Sequence, residues 1–399
     1  MATRRYFLRA SALAMAGVGI APWWLVRAAA QGGGRRKILV AIFQRGAADG
    51  LNIVVPFSEK RYYEFRPTIA VPEPGKPNGA IDLDGRFGFH PSLQPLKTLW
   101  DEGRLAVVEA TGSPDPTRSH FDAQDFMESG TPGRLAEDGW MNRALPAAAD
   151  PSPLRAIAIG TQLPRTLRGS RSAVAVNGLE QFHVRNQQTA GILESMYATT
   201  ADARLMTSGR ETFEAVKMIE AITKAPYAPA NGAQYAGEFG RSLQQIARLI
   251  KADVGVEAAF ADINGWDHHS NEAPQMTQLL QQFGASLAAF ARDMGDRMED
   301  IVLVTMSEFG RTAREDGNSG TDHGHGNVMT VLGGAVRGGH VYGRWPGLEP
   351  EQLYEGRDLA VTTDFRDVLG ELVAGHLGQP IDRVFPNYKP VAPLGLLRA

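Results

Sequence analysis

LVTMSEFGRTAREDGNSGTDHGHGNVMTVLGG, residues 303–334, places a polar, glycine-rich loop between two apolar runs. The first run, Ile301 to Thr305, is followed at once by the carboxylate of Glu308, and the second run covers Val328 to Leu332. Short apolar runs rich in β-branched residues are typical of strands that are buried on both faces. The segment therefore predicts two buried strands joined by a polar loop.

This loop and a second polar segment carry a cluster of histidines and carboxylates. The loop holds Asp322, His323 and His325 within four residues. The second segment, GWDHHSNE at Gly265 to Glu272, follows the apolar run Val256 to Ile263, and four of the nine histidines lie in the two segments. Imidazole and carboxylate groups together favour a divalent metal, with zinc or manganese as the best match. The alternative is a pair of polar surface loops with scattered histidines.

Apolar runs alternate with helical patterns along the chain, which predicts an α/β fold. The predicted strands cover residues 37–43, 104–112, 155–160, 172–177, 256–263 and 301–307. A helical pattern at 276–294 lies between the last two, and strand, helix, strand predicts parallel strands with a right-handed crossover. Sites in parallel sheets form at the carboxyl ends of the strands, so we expect both histidine segments at one edge.

The N-terminus predicts export from a bacterial cell. Arg4 and Arg5 precede the apolar segment Ala10 to Val26, and Ala28 to Ala30 offers a small-residue cleavage site. This pattern is that of a Tat signal, so residues 1–30 are expected to be removed and the Tat translocase is a predicted partner. The predicted location is the periplasm or the medium, without a stable membrane anchor. The alternative is a basic N-terminus that arose by chance.

The composition excludes several classes of protein. Residues 1–30 carry four arginines and no acidic residue, so 37 of the 41 basic side chains remain against all 44 acidic ones. No basic run is present, and we expect no nucleic-acid partner. The absence of cysteine excludes disulfides, thiolate metal sites and a cysteine nucleophile. Residues 31–399 are long enough for a single α/β domain, with a helical insertion at about 185–252.

Other polar residues near predicted strand ends are also candidates for a site. Asp49 is either a metal ligand or part of a turn, and Arg45 precedes it as a possible orienting cation. Thr117 and Ser119 precede a predicted helix, where a hydroxyl serves as an N-cap or, beside a metal, as a nucleophile. Arg311 is either a bidentate partner for an oxyanion or a solvated loop charge.

Six motifs spread between about residue 37 and residue 395 resemble the domain-of-unknown-function family 1501, whose members are commonly Tat-exported bacterial proteins. They are RGAADGLNIVVP, HPSLQPLKTLW, TRSHFDAQDFMESG, GWDHHSN, SEFGRT and GTDHGHGNVMTVLGG. That family is grouped with the alkaline phosphatase/sulfatase superfamily. The resemblance implies an alkaline phosphatase-like three-layer sandwich with a divalent-metal site at the carboxyl edge of its central sheet.

The resemblance also implies roles for individual residues. The implied metal ligands are Asp49, Asp267, His269, Glu308, Asp322, His323 and His325. Asp267 and His269 resemble an Asp/His pair that follows a strand. His323 or His325 resembles a last histidine that precedes a strand. Glu308 stands where an Asp-His pair belongs, so one imidazole is missing unless another residue of the loop replaces it.

The resulting hypothesis is an exported metal-dependent hydrolase that acts on a phosphate or sulfate ester. One or two divalent ions would polarise the ester oxygens, and Ser119, Thr117 or a metal-bound water would attack in line. Arg45 or Arg311 would neutralise the charge that develops. The alternative hypothesis is a non-catalytic periplasmic or envelope-binding protein that retains the fold and a structural metal.

Overall fold

The computed structural model describes residues 36–134, 136–148, 151–182 and 187–398, so the predicted Tat signal at 1–30 lies outside the described residues. The strands are β1 Ile38–Arg45, β2 Val54–Val55, β3 Ile81–Asp82, β4 Gly88–Phe89, β5 Leu105–Gly112, β6 Ala156–Ile159, β7 Val174–Val176, β8 Ala258–Asn264, β9 Ile301–Met306, β10 Asn327–Gly333, β11 Val341–Tyr342 and β12 Thr363–Asp364. The long predicted strands are therefore present, with ends shifted by one or two residues.

The central sheet has nine strands in the order β11-β5-β10-β9-β1-β8-β6-β7, and β12 also pairs with β5. Strand β10 runs antiparallel to β5 and β9, whereas the other described pairings in this sheet are parallel. A small antiparallel sheet, β2-β4-β3, lies apart from it. The predicted α/β fold with a mainly parallel sheet is confirmed.

The helices are α1 Gly50–Ile53, α2 Lys60–Phe65, α3 Lys97–Asp101, α4 His120–Ser129, α5 Trp140–Ala144, α6 Gln187–Thr199, α7 Ala203–Lys224, α8 Gly237–Lys251, α9 Glu272–Met294, α10 Phe365–Gly375 and α11 Ile381–Val384. The predicted helical region at 185–252 thus contains α6, α7 and α8. None of the described helices combines the length and apolar composition that a bilayer span requires.

Helices cover both faces of the sheet, as the alternating residues of β1 show. Ile38, Val40 and Ile42 belong to one hydrophobic core, which also contains buried residues of α8 and α9. Leu39, Ala41 and Phe43 belong to a second core, which contains buried residues of α5 and α10. Because successive side chains of a strand point to opposite faces, a strand buried on both faces must be apolar throughout. This explains the continuous apolar run of β1.

The order of the central strands brings the two predicted histidine segments together. Helix α9 connects β8 to β9, and β1 lies between these two strands. Arg45 at the end of β1 pairs with Asn264 at the end of β8, and Phe43 pairs with Met306 at the end of β9. The three strands are parallel, so the loops that follow them leave from the same edge of the sheet.

Candidate metal centre

Two loops and one helix end meet at this edge of the sheet. The loop after β8 supplies Asp267 and His269, and the loop between β9 and β10 supplies His323. Helix α4 supplies His120, its first residue. His323 is further held by an isolated antiparallel bridge to Arg311. The three segments are far apart in sequence and adjacent in space.

The ligand atoms of these side chains converge. Nε2 of His323 lies 3.0 Å from Nε2 of His120 and 3.1 Å from Nε2 of His269. Asp267 lies 3.5 Å from His323 through Oδ1 and 3.6 Å from His120 through Oδ2. Among the described residues they form two overlapping groups, His120–Asp267–His323 and His269–Asp322–His323, whose ligand atoms lie within 4.8 Å of one another. We call these residues together the histidine group.

The partners of the Nδ1 atoms determine which nitrogen of each ring is free. Nδ1 of His120 lies 2.8 Å from Oε1 of Glu308, and Nδ1 of His323 lies 2.9 Å from the carbonyl oxygen of Arg118. Both oxygens accept hydrogen bonds, so we infer that each Nδ1 carries a hydrogen and each Nε2 carries a lone pair. Two lone pairs at 3.0 Å need a cation between the rings, either a metal or a proton on one ring.

Glu308, a predicted metal ligand, instead accepts a hydrogen bond from His120 of the histidine group. Its carboxylate accepts hydrogen bonds from the backbone N–H of Gly46, from Nε2 of Gln124 and from Oγ of Ser307. Burial alone would raise the pKa of Glu308, but the hydrogen bonds from His120 and its other donors lower it. In return, the hydrogen bond to Glu308 raises the pKa of His120. Glu308 therefore contacts the group through His120.

Arg311 fixes the position of Asp267. Its guanidinium donates to Oδ1 of Asp267 at 2.5 Å and to the carbonyl oxygens of Gly46, Ala47, Trp266 and Thr321. Burial would raise the pKa of Asp267, but the contact with Arg311 lowers it. Arg311 is 1% exposed, so the prediction of a solvated loop charge is wrong, and the guanidinium is closed off from a substrate oxyanion.

Arg45 is likewise engaged with side chains of the protein. Its guanidinium donates to Asp262 at 2.6 Å, to Oε1 of Gln124 at 2.9 Å and to Glu128 at 2.9 Å. Gln124 also donates to Glu308, so Arg45 is linked to the histidine group through Gln124 and Glu308. The structure thus places Arg45 as a support for Gln124.

Asp322 and His325, two other predicted metal ligands, lie at the rim of the histidine group and outside it, respectively. Asp322 is exposed, accepts a hydrogen bond from Arg357 at 3.0 Å and lies 3.9 Å from Nδ1 of His269, at the rim of the group. His325 is buried and stacks on Tyr354 with 4.5 Å between ring centroids. It does not join either group of converging ligand atoms in the described part of the chain.

Asp49 also lies outside the histidine group, in a buried ion pair with Arg66. Nη1 and Nη2 of Arg66 both donate to the carboxylate, and the Nη2–Oδ1 distance is 2.9 Å. Arg66 donates in addition to the carbonyl oxygens of Thr312 and Ala313. Burial would raise the pKa of Asp49, but Arg66 outweighs it and lowers the pKa. The oxygens of Asp49 are therefore already paired with a cation of the protein.

The two candidate hydroxyl groups lie at the N-terminal end of α4. Ser119 is the N-cap, and its Oγ accepts a hydrogen bond from the backbone N–H of Asp122 at 3.4 Å. Oγ1 of Thr117 accepts one from the backbone N–H of Ser119 at 3.2 Å. Ser119 directly precedes His120, so both hydroxyls belong to the chain segment that leads into the histidine group.

Sequence reasoning named neither His120 nor Gln124 as a site residue. Both side chains contact Glu308, at 2.8 Å and 2.9 Å. They are four residues apart, so they lie on one face of α4, just after the N-cap Ser119. That spacing after a predicted N-cap was the available signal, but it does not show which strand the helix faces.

No curated protein shows detectable similarity to this chain. Among solved structures, the PsFucS1 sulfatase from Pseudoalteromonas sp. is similar at 11% identity and a TM-score of 0.38, over 95% of this chain and 78% of that one. The C-terminal periplasmic domain of EcEptC from Escherichia coli, solved in complex with Zn, shows 10% identity and a TM-score of 0.34, over 76% and 74%. An alkaline phosphatase from the Antarctic bacterium TAB5 shows 11% identity and a TM-score of 0.29, over 75% and 92%. Similarity at this level says nothing about the reaction of this chain.

The family comparison covers most of the chain. The family described as "Protein of unknown function (DUF1501)" matches residues 36–384. This range includes α4 and both loops that form the histidine group. The expected family is confirmed, and the chain belongs to it.

Proposed function

We propose that this chain is an exported metal-dependent hydrolase that acts on a phosphate or sulfate ester. The observation that carries this proposal is the pair of Nε2 atoms of His120 and His323, which face each other at 3.0 Å. Each ring has its other nitrogen fixed by an acceptor, as histidines that bind metals almost always do. Asp267 and His269 add a carboxylate and a third imidazole within reach of the same point.

The residues of the histidine group fit a divalent metal. Three imidazoles and the carboxylates of Asp267 and Asp322 suit zinc or manganese, whereas calcium prefers oxygen ligands alone. Burial lowers the pKa of His323, which keeps this ring neutral and able to bind a metal. When bound, the ion supplies Lewis-acid polarisation of the ester. Glu308 and Arg311 hold His120 and Asp267 in place without binding the ion themselves.

We assign the attack on the ester to Ser119, with Thr117 as the next candidate. The hydroxyl of Ser119 lies at the N-terminus of α4, where unpaired backbone N–H groups favour an anionic group such as phosphate or sulfate. In this proposal the α4 N–H groups hold the ester oxygens while Oγ bonds in line to the phosphorus or sulfur. The bond to the alcohol oxygen breaks, the hydroxyl proton passes to the departing alcohol, and water then releases phosphate or sulfate from Ser119. Arg45 and Arg311 act as positioning residues, because their donors are already bound to protein acceptors.

Replacing His323 by alanine is expected to weaken the binding of zinc or manganese by more than roughly 100-fold, because His323 is shared by both groups of ligand atoms. Isothermal titration of metal-depleted protein and elemental analysis of the purified protein measure this. His325→Ala is the matched control: His325 stacks on Tyr354 outside the group, so metal affinity should be unchanged. A wild-type protein that binds neither metal would overturn the metal site.

One observation favours the non-catalytic alternative. Both candidate cations for the transition state, Arg45 and Arg311, are held by protein acceptors. A binding protein with a structural metal would need neither of them free. Aryl phosphate, phosphodiester and aryl sulfate substrates, tested with and without chelator, separate the two functions. The hydrolase is expected to cleave at least one class and to lose this activity with chelator.

Replacing Arg4 and Arg5 by lysine is expected to leave the protein in the cytoplasm. The Tat translocase reads the paired guanidinium groups, and lysine does not reproduce their geometry. Cell fractionation and immunoblotting measure the change, with Arg27→Lys as the matched control in the same segment. Unchanged periplasmic yield of the double variant would contradict the export assignment.

A further inference from the structure

A polar cavity of about 460 Å³ lies farther along the sheet edge that carries the histidine group. Its neutral polar lining includes Thr161, Asn177, Ser242, Gln245, Asn264 and Gln282. Thr161, Asn177 and Asn264 lie at the carboxyl ends of β6, β7 and β8, and the other three lie on α8 and α9. The cavity is thus built from the strand ends where ligands of parallel sheets usually bind.

The chemistry of the lining favours a neutral ligand with several hydroxyl groups. Among its residues, Arg241 is the one cation, against the two carboxylates Glu238 and Asp262. Asp262 already accepts a hydrogen bond from Arg45. This balance does not favour an anion. Side-chain amides and hydroxyls both donate and accept hydrogen bonds, as sugar hydroxyls also do.

A second cavity adjoins the polar cavity and is lined by Arg45, which hydrogen bonds link to the histidine group. It has a volume of about 310 Å³ and shares Thr161 and Asp262 with the first. Its lining also includes Arg45, which donates to Gln124. Gln124 in turn donates to Glu308, the partner of His120. A ligand that occupies both cavities would therefore reach Arg45, which three hydrogen bonds link to His120.

Phe121 adds an exposed aromatic ring on α4, the helix that contributes Asp125 and Glu128 to the second cavity. Its side chain is 87% exposed, although it follows His120 directly on α4. It lies one helical turn before Asp125, which lines the second cavity, and side chains four residues apart are neighbours on a helix. An exposed aromatic ring offers an apolar face on which the C–H face of a sugar ring can pack.

We infer that the alcohol part of the ester is a carbohydrate, which binds in the polar cavity and extends through the second cavity toward Phe121. This inference rests on the proposed function and names its substrate class, a phosphate or sulfate ester of a sugar. The same chemistry fits a free monosaccharide and the terminal unit of a polysaccharide. Binding of the neutral sugar depends on the cavity and not on the metal ligands.

Binding of neutral sugars to the purified full chain tests the inference without any hydrolysis. Saturation-transfer NMR and calorimetry would use glucose, galactose, N-acetylglucosamine and their linear oligomers, with and without chelator. At least one is expected to bind equally well in both conditions. If oligomers bind more tightly than monosaccharides, the natural ligand is the end of a polysaccharide. If both bind equally well, the natural ligand is a monosaccharide.

Matched variants locate the sugar. Gln282→Leu is expected to weaken sugar binding roughly tenfold, because it removes amide hydrogen bonds. Gln281, the preceding residue of α9, does not line this cavity, so Gln281→Leu should leave sugar binding unchanged. Phe121→Ala should also weaken binding, whereas Val391→Ala, at an apolar residue that is 90% exposed and outside both cavities, should not.

The outcomes separate this inference from the proposed function. If simple aryl esters are hydrolysed but none of the neutral sugars binds, the carbohydrate inference is overturned and the hydrolase stands. If sugars bind and respond to Gln282→Leu but no ester is hydrolysed, the sugar site stands and the hydrolase is overturned. Equal losses of sugar affinity in Gln282→Leu and Gln281→Leu would overturn the assignment of the sugar to this cavity.

Discussion

Replacing Ser119 by alanine is expected to lower kcat by about 10⁴-fold or more on the ester that the wild-type protein hydrolyses, because the attacking oxygen is removed. Folding should change little, since the loss of a helix N-cap costs about 1 kcal/mol. The variant removes the capping hydrogen bond that the backbone N–H of Asp122 donates to Oγ of Ser119. Metal content should stay the same. Steady-state kinetics, elemental analysis and thermal unfolding of one preparation measure all three.

Thr117→Ala is the matched control for this variant. It removes the hydroxyl that accepts a hydrogen bond from the backbone N–H of Ser119, so it perturbs the same loop. Its kcat should stay within about tenfold of the wild-type value, as expected for a residue that does not react. If Ser119→Ala keeps its activity, water attacks the ester and Ser119 is only a cap. If Thr117→Ala alone is inactive, Thr117 is the nucleophile.

Replacing Arg66 by methionine is expected to destabilise the protein by about 3–5 kcal/mol, because it leaves a buried carboxylate without its partner. Arg66 and Asp49 are both almost completely buried, and the guanidinium holds both oxygens of the carboxylate. Methionine fills a similar volume and supplies no charge. Urea denaturation followed by circular dichroism measures the free energy of unfolding.

Arg61→Met, on helix α2, which ends directly before Arg66, provides the comparison. Arg61 forms ion pairs with Glu64 and Glu349 at the surface, so its loss should destabilise the protein far less than the loss of Arg66. The double variant Asp49→Asn with Arg66→Met should regain part of the stability, because it removes the uncompensated charge. If Arg66→Met lowered the free energy of unfolding as little as Arg61→Met does, the stabilising role of the buried pair would be contradicted.

Sequence patterns alone predicted the strands that carry the site. The runs at 37–43, 256–263 and 301–307 correspond to β1, β8 and β9. These strands are buried on both faces, so the signal is a continuous apolar run that is visible within a few residues. A strand, a helix and a strand in succession then require both loops to leave from one edge. For this reason the sequence predicted that Asp267, His269 and His323 lie close together.

The helical contribution to the histidine group was not predictable in the same way. His120 and Gln124 lie on α4, which is separated in sequence from both loops. Nothing local indicates that this face of the helix packs against Glu308. Its position depends on where β5, the strand before it, lies in the sheet, and β5 pairs with β10 and not with β1. Local periodicity identifies a helix face but does not identify its partner.

By itself, the sequence determined the element types, the mainly parallel sheet and the edge on which polar loops gather, because these follow from local periodicity and chain order. Only the tertiary structure decided which charges pair. Asp49, a predicted ligand, is paired with Arg66, and Arg311 is buried against Asp267. Such pairs form where distant segments exclude water together, since a buried charge must find a partner there. The partner of a buried charge comes from a segment that is distant in sequence. It therefore cannot be read from the residues next to that charge.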